Sequence, residues 1–432
     1  MKELHYPVLN RESTGNGRNL MSKAKSFDIP KRTVYEAYKA IKSNKGAAGI
    51  DEVSIKGFEA DLENNLYKLW NRMSSGTYFP PAVKAVEIPK KSGGTRTLGI
   101  PTIADRIAQM VVKINFEPKV ERYFYNDSYG YRPGKSAHDA IDITRKRCWK
   151  YDWILEFDIR GLFDNINHEL LMKAVLKHTD TAWEILYIKR WLKAPMQNIS
   201  GEESKRIKGT PQGGVISPVL ANLFLHYCFD RWVSKGFPTN PWCRYADDAL
   251  IHCVSEKQAR YIQDMLAKRL KECELELNQD KTKIAYCKDS NRNKEYANIS
   301  FTFLGYTFKP RKAKGKNGQV FTSFIPAISL RAKSDILKSI RKWRLLWKTG
   351  KSIVQLAEQL NPIIRGWLNY YGRYGKRELT GVLEKINYHL MLWAQRKYKR
   401  YKHAPGKAYR YLTRIYKETP KIFAHWEVGI SP

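Results

Sequence analysis

The 432-residue chain is 43% hydrophobic and 12% aromatic, enough apolar mass for a substantial core and more than one domain. Its 77 Lys and Arg against 42 acids give a formal net charge of +35, which points to a polyanionic partner, and the apolar and aromatic content argues for an enzyme-sized body over a ribosomal or membrane-surface protein. No apolar run reaches a membrane span, no signal peptide opens the chain, and the six cysteines show neither Cys-x-x-Cys nor framework spacing, so free thiols in a cytoplasmic protein are expected.

Residues 1–29 are polar and rich in Asn, Ser, Arg and Gly, and read as a mobile N-terminal segment. Over 31–42, Val34, Ala37, Tyr38 and Ile41 fall at helical spacing, with Gly46 as a stop. Residues 78–101 read as a β-hairpin turning at Gly93-Gly94, with cations on both arms. A helix is predicted over 104–124, with Pro118 marking a kink or break. Ser136 and Asp139 form a capping box for a helix to about residue 150. His138 there reads as a packing or helix-start residue, because no second His or Cys stands at metal spacing. Asn167 caps a helix over 170–178, and Pro218 opens an apolar helix through Leu220, Leu223, Phe224 and Tyr227, behind the flexible loop Pro211-Gln212-Gly213-Gly214.

Two stretches carry chemistry. Trp153, Leu155 and Phe157 alternate with Ile154, Glu156 and Asp158, the period of a strand that ends at a carboxylate. In Arg244-Tyr245-Ala246-Asp247-Asp248-Ala249-Leu250, two adjacent aspartates sit between apolar runs; neighbouring strand residues face opposite ways, so both can approach one centre where the chain turns in a hairpin. Three carboxylates of this kind suit phosphoryl transfer assisted by two divalent ions. Farther on, Ser255 and Gln258 cap a helix to about residue 273, residues 301–306 read as a strand whose Gly305 lets the backbone lie close to another group, and Pro310, Gly315, Gly318 and several lysines read as a basic connector.

Residues 311–432 hold 27 Lys and Arg against 6 acids. Helices are predicted over 329–347, 353–371 and 380–400, with cations and aromatics interleaved (Arg341, Trp343, Arg344, Trp347; Arg396, Tyr398, Arg400, Tyr401) as on a surface that follows a nucleic-acid backbone. Most of the tryptophans are nevertheless expected in the core. No paired cysteines or His-Asn-His pattern follow, so no endonuclease domain is expected, and the short basic tail with Lys407, Arg410, Arg414 and Trp426 reads as a reduced DNA-binding segment.

Across roughly residues 30–400 the chain carries an ordered set of blocks: Gly46-Ala47-Ala48-Gly49-Ile50-Asp51, Tyr129-Gly130-Tyr131-Arg132-Pro133-Gly134, Asp158 with Phe163, Gly209-Thr210-Pro211-Gln212-Gly213-Gly214, Tyr245-Ala246-Asp247-Asp248, 275–284, Leu304-Gly305-Tyr306 and 360–371. In this order they resemble the reverse transcriptases encoded by group II introns, the intron maturases. The resemblance implies an α+β fold, a right-hand polymerase whose fingers and antiparallel-sheet palm precede a helical thumb or maturase domain. It divides the chain into 1–29, an N-terminal extension with fingers at 30–135, palm at 136–310, connector at 311–324, thumb at 325–400 and tail at 401–432. It implies catalysis by Asp158, Asp247 and Asp248, which with the Ile159 carbonyl hold two Mg²⁺ ions, Mn²⁺ being a substitute. Lys84, Lys90, Arg96, Phe163 and Gln212 would contact the nucleotide, Phe163 as the gate against a ribose 2′-hydroxyl. Gly213, Gly214, Asn278, Lys281, Leu304 and Gly305 would contact primer and template. The implied partners are an RNA template, a group II intron RNA, a DNA or RNA primer, dNTPs and a DNA target, with no membrane, in a cytoplasmic setting associated with a bacterial or organellar nucleoid. Two alternatives stay open at this point: chiefly an RNA-binding splicing maturase, or an intron-detached relative used in DNA repair or phage defence.

Overall fold

A computed structural model describes residues 26–432, apart from 45, 90–92 and 316. Its strands in chain order are β1 (Val83–Pro89), β2 (Thr95–Ile100), β3 (Trp153–Phe157), β4 (Met196–Gln197), β5 (Glu203–Ser204), β6 (Trp242–Tyr245), β7 (Asp248–Cys253), β8 (Lys283–Tyr286), β9 (Phe301–Phe303), β10 (Tyr306–Lys314) and β11 (Val320–Ile328). The chain passes between two compact units: residues up to 124 belong with 161–228, and 125–160 with 229–432. The segment 161–228 thus groups with residues up to 124, and the helices after residue 328 group with β3, β6, β7 and β8.

In the first unit, helix Lys31–Ser43 buries the four residues that its spacing picks out, Val34, Ala37, Tyr38 and Ile41. Helix Ile103–Glu121 is buried along most of its length, and Pro118 falls near its end without breaking it. Deep in this unit, the buried Asp105 carboxylate accepts hydrogen bonds from Tyr78 Oη (2.7 Å), Trp191 Nε1 (2.7 Å) and Gln109 Nε2 (2.9 Å). Gln109 in turn accepts from the Val215 amide at 2.7 Å, which ties the 211–216 loop to the helix. The hairpin β1–β2 is antiparallel with Lys84 opposite Ile100 and Ile88 opposite Arg96, and β4 and β5 extend the sheet in the order β2-β1-β4-β5.

In the second unit, β6-β7-β3-β8 form an antiparallel sheet, with β3 in the interior and Leu155 and Ile251 both fully buried. Helix Ala137–Cys148 has the expected capping box, and Ser255 caps helix Glu256–Glu272 through Gln258. His138 is a packing residue, its Nε2 bonded to the Tyr370 carbonyl and its ring stacked on Tyr370. The strand expected over 301–306 is two strands: Leu304 and Gly305, both at positive φ, turn the chain between β9 and β10.

The expected basic connector is also structured, as the long antiparallel hairpin β10–β11 with Tyr306 opposite Ile328 and Lys314 opposite Val320. Pro310 is accommodated because β9 pairs only as far as Phe308, leaving the outer side of the following residues without a strand partner. Helices Leu330–Lys342, Ile353–Tyr371 and Lys376–Lys397 follow, close to expectation. The tail is not a loose extension. Helix Pro405–Glu418 and the turn Ala424–Glu427 pack Leu412, Phe423 and Trp426 into the same core as Leu360, Leu383 and Leu390. Trp426 is 1% exposed and donates Nε1 to Asn387 Oδ1 at 2.7 Å, so it serves this core and leaves the expected DNA-contact set. Among the described residues no helix is long and apolar enough to cross a membrane, and all six cysteines are free and buried.

Candidate active site

The second unit brings the acidic residues together. β6 and β7 pair from Trp242↔Ile251 to Tyr245↔Asp248, so Ala246 and Asp247 form a two-residue hairpin turn. Ala246 takes φ 57°, an uncommon conformation for a residue with a side chain. Its surroundings hold it there. Arg244, 1% exposed, reaches back along the hairpin and donates Nη1 to the Ala246 carbonyl at 3.1 Å. The same guanidinium grips the fully buried Asp230 with two 2.7 Å bonds and donates to Ser128 Oγ at 2.9 Å. A methyl group on Gly130 would lie 2.4 Å from the Ala246 nitrogen, so only glycine lets that segment lie against the turn.

β3 runs beside β7, with Phe157 opposite Ala249, and delivers Asp158 next to the turn. Past the end of β3, Ile159 bridges to Leu277, flanked by the bonds Asn278 N to Asp158 O (2.9 Å) and Arg160 N to Glu276 O (2.9 Å). None of these uses the Ile159 carbonyl. Asn278 Nδ2 and Lys281 Nζ both donate to Asp158 Oδ2 at 3.0 Å.

The electrostatics follow from crowding. Desolvation and then the charge of Asp158 raise the Asp247 carboxyl above its ordinary value. Asp248 has an open surface, yet the protein mass around it, followed by the charges of Asp247 and Asp158, pushes it up to about 7. Lys281 opposes the shift at both. Among the described residues no three His, Cys, Asp or Glu side chains gather tightly enough to form a ready-made ligand cluster. The donor chemistry still fits a hard divalent cation: oxygen-only acids whose mutual repulsion such an ion would relieve.

Three neighbours of this site, Glu156, Lys283 and Arg331, were not singled out by the sequence. A cleft of about 380 Å³ is lined by Asp158, Asp248, Glu156, Lys281, Lys283 and Arg331, among others. Glu156 pairs in register with Lys283 across β3 and β8, and desolvation pushes it up to about 7. Its signal was available, since residues two apart on a strand share a face. Leu304 and Gly305 lie in the same unit, where the Leu304 carbonyl accepts from Tyr370 Oη at 2.8 Å and a Cβ on Gly305 would meet Tyr371 Oη at 3.1 Å. The close approach expected at Gly305 is thus made by Tyr371.

The remaining expected residues lie in the first unit. Lys84 and Arg96 fall on one face of the β1–β2 hairpin, since 84, 86 and 88 pair with 100, 98 and 96; Lys90 lies outside the described residues. The Gln212 carbonyl accepts from the Gly99 amide of β2 at 2.8 Å, and its side chain donates to Asp164 Oδ2 at 3.3 Å, next to Phe163. Gly213, at φ 122°, passes the Gly99 carbonyl so closely that a Cβ would sit 2.4 Å away, and Gly214 N bonds back to Pro211 O at 3.2 Å. Phe163 is half-buried, and its carbonyl accepts from Thr210 N at 2.7 Å. Phe163, Gln212 and the basic hairpin are therefore linked through one loop.

Residues 88–308 match the family described as reverse transcriptase (RNA-dependent DNA polymerase), and residues 333–412 match the group II intron maturase-specific domain. Protein YkfC of Escherichia coli K12 is 32% identical over 352 residues, spanning 72% of this chain and 88% of that protein. The group II intron-encoded protein LtrA of Lactococcus lactis subsp. cremoris is 28% identical, spanning 82% of this chain and 70% of LtrA. Among solved structures, the telomerase of Candida albicans superposes with a TM-score of 0.45 at 12% identity, covering 87% of this chain and 68% of that one. With half its length in the polymerase match and the maturase-specific domain after it, the chain belongs to the reverse transcriptase family, in its group II intron branch.

Proposed function

We propose that this RNA-directed DNA polymerase holds two Mg²⁺ ions on Asp158, Asp247, Asp248 and the Ile159 carbonyl, with Mn²⁺ as a substitute. The observation that carries the proposal is the crowding of negative charge at one end of an antiparallel sheet, which keeps both Asp247 and Asp248 above the ordinary carboxylate range. When bound, such ions lower the pKa of the attacking primer 3′-hydroxyl and neutralise charge on the α-phosphate and the departing pyrophosphate. Lys84, Lys90 and Arg96 meet the triphosphate of a dNTP, and Gln212 and Phe163 its nucleoside, Phe163 crowding a ribose 2′-hydroxyl. Gly213, Gly214, Asn278, Lys281, Leu304 and Gly305 position primer and template. Arg244 and Gly130 position the hairpin turn without touching substrate.

The test is primer extension on poly(rA) with oligo(dT), dTTP and Mg²⁺. The unaltered chain should extend the primer, and Asp158→Asn and Asp247→Asn should each abolish extension while retaining RNA binding. Full extension by either variant removes that carboxylate from the proposed metal set.

A second reading, assistance to intron splicing, is favoured by the maturase-specific match over 333–412 and by the 27 Lys and Arg against 6 acids in 311–432. On this reading the partners include the intron RNA and a DNA target. Purified protein should accelerate splicing of its own intron RNA, and Asp247→Asn should splice as well as the unaltered chain.

A further inference from the structure

The helical C-terminal region sorts its interleaved aromatics into two groups. Trp343 stacks on Trp367, Trp393 and Trp426 are fully buried, and Tyr401 is 9% exposed. Trp347 differs: it is 69% exposed, in the short 3₁₀ turn Leu345–Trp347. An indole left in water forgoes a large apolar burial, and what sets this one apart is the fixed turn that carries it and the cations around it.

The turn is held firmly. Leu345 is anchored in the core, and helix Lys376–Lys397 clamps the following loop through three hydrogen bonds: Trp393 Nε1 to Lys348 O (3.1 Å), Lys397 Nζ to Thr349 O (2.7 Å) and Lys397 Nζ to Lys351 O (2.8 Å). Arg396 lies over the Trp347 ring at 3.8 Å. With the guanidinium on one face and the ring still mostly exposed, the other face is open. Arg344, Lys348, Lys351, Lys399 and Arg400 lie on the same loop or just beyond the same helix end, and none of them pairs with an acid among the described residues.

We propose that Trp347, backed by Arg396, is a shelf on which one unpaired RNA base stacks while the surrounding cations hold its flanking phosphates. Base-on-aromatic stacking with cations along the backbone is how proteins bind single strands, and an uncompensated basic rim selects a polyanion over a protein surface. RNA is favoured over DNA because both Trp347 and Arg396 lie within the maturase-specific match, 333–412. The inference rests on the RNA-binding reading above and assigns it a particular contact.

The test measures binding of the full chain to a fluorescein-labelled single-stranded 12-mer RNA by anisotropy, with the DNA of the same sequence beside it. Trp347→Ala should weaken RNA binding about tenfold, equivalent to about 1.4 kcal/mol, with the thermal unfolding midpoint unchanged because the side chain is exposed. Trp347→Phe should retain most of the affinity. Lys348→Gln, at one of the surrounding cations, should reduce the slope of log affinity against log salt by about 0.7, as for the loss of one phosphate contact on a single strand. Unchanged RNA affinity in Trp347→Ala overturns the shelf and leaves the face to a protein partner. A Phe variant as weak as the Ala variant overturns stacking, and an equal loss with DNA overturns the assignment to RNA. Primer extension by the unaltered chain is read separately: its failure, with the Trp347→Ala loss still present, would defeat the polymerase site and leave the shelf standing.

Discussion

The Lys281 ammonium supplies positive charge where the carboxylates most need it. It bonds Asp158 Oδ2 at 3.0 Å and opposes the upward shifts of Asp247 and Asp248, so one side chain serves three acids. Its own side chain is 56% exposed while that of Asp158 is 13% exposed, so the ammonium can swing away into water and the carboxylate cannot. A divalent ion arriving at Asp158 competes with it. Lys281→Met should therefore bind Tb³⁺, followed by its luminescence without nucleotide, about fivefold more tightly, near 1 kcal/mol for a part-exposed charged bond. Equal affinity in the two proteins would mean that lysine and metal do not share the site. Nothing in the sequence announced this pairing, because Asp158 and Lys281 are far apart in the chain and are brought together by the β3–β8 pairing and the Ile159–Leu277 bridge.

At the scale of elements, the Asp-Asp hairpin depends on a charge pair buried behind it. Breaking such a pair from one side leaves an unpaired charge in the interior and costs about 3–5 kcal/mol. Arg244→Met should lower the urea midpoint accordingly. Arg244→Met with Asp230→Leu should recover much of the stability, yet primer extension should stay depressed in both, because the bond from Arg244 to the Ala246 carbonyl is gone. Recovery of extension in the double variant would show that Arg244 acts only through stability. The hairpin and β3 were legible in the sequence because two-residue periodicity and a turn are local signals. The hairpin β10–β11 was not: Pro310, Gly315, Gly318 and the lysines among them read as a basic connector, while the apolar anchors Phe308 and Phe324 pack on Phe301 across the sheet. Helix Pro405–Glu418 was missed for a related reason, since it buries only Ala408 and Leu412 among many cations. Of the nucleotide-side residues, Lys84, Lys90 and Arg96 stood out locally as cations on a readable hairpin, while Phe163 and Gln212 gave no local pattern and were singled out by the ordered blocks.

For the molecule as a whole, stability and pH are linked through groups of opposite sign. His252 and His425 are buried and neutral, desolvation pushing each down to about 3. Below about pH 6.5 the unfolded chain takes up protons that these rings refuse, so their contribution to stability is complete above that pH and is lost as pH falls toward 3. Glu156 and Asp248, pushed up to about 7, act in reverse, because the folded chain binds their protons first and gains stability as pH falls from 7 toward 4. The unaltered chain mixes the two, but a difference separates them. Relative to it, His252→Leu should gain about 2 kcal/mol between pH 7 and pH 5 in urea unfolding; a difference independent of pH would mean that His252 takes up its proton equally readily in the folded and unfolded states. The chain's three passages between its two units also carry a cost in time. β3 lies between β7 and β8, and β8 begins at Lys283, more than a hundred residues after Phe157. At about 5–20 residues per second on the ribosome, Trp-Ile-Leu-Glu-Phe waits roughly 6–25 s for its second neighbour. Through that interval the strand that will carry Asp158 is an unpaired apolar edge, so nascent chains released early should aggregate through it, and the yield of active enzyme is set partly by how that wait is covered.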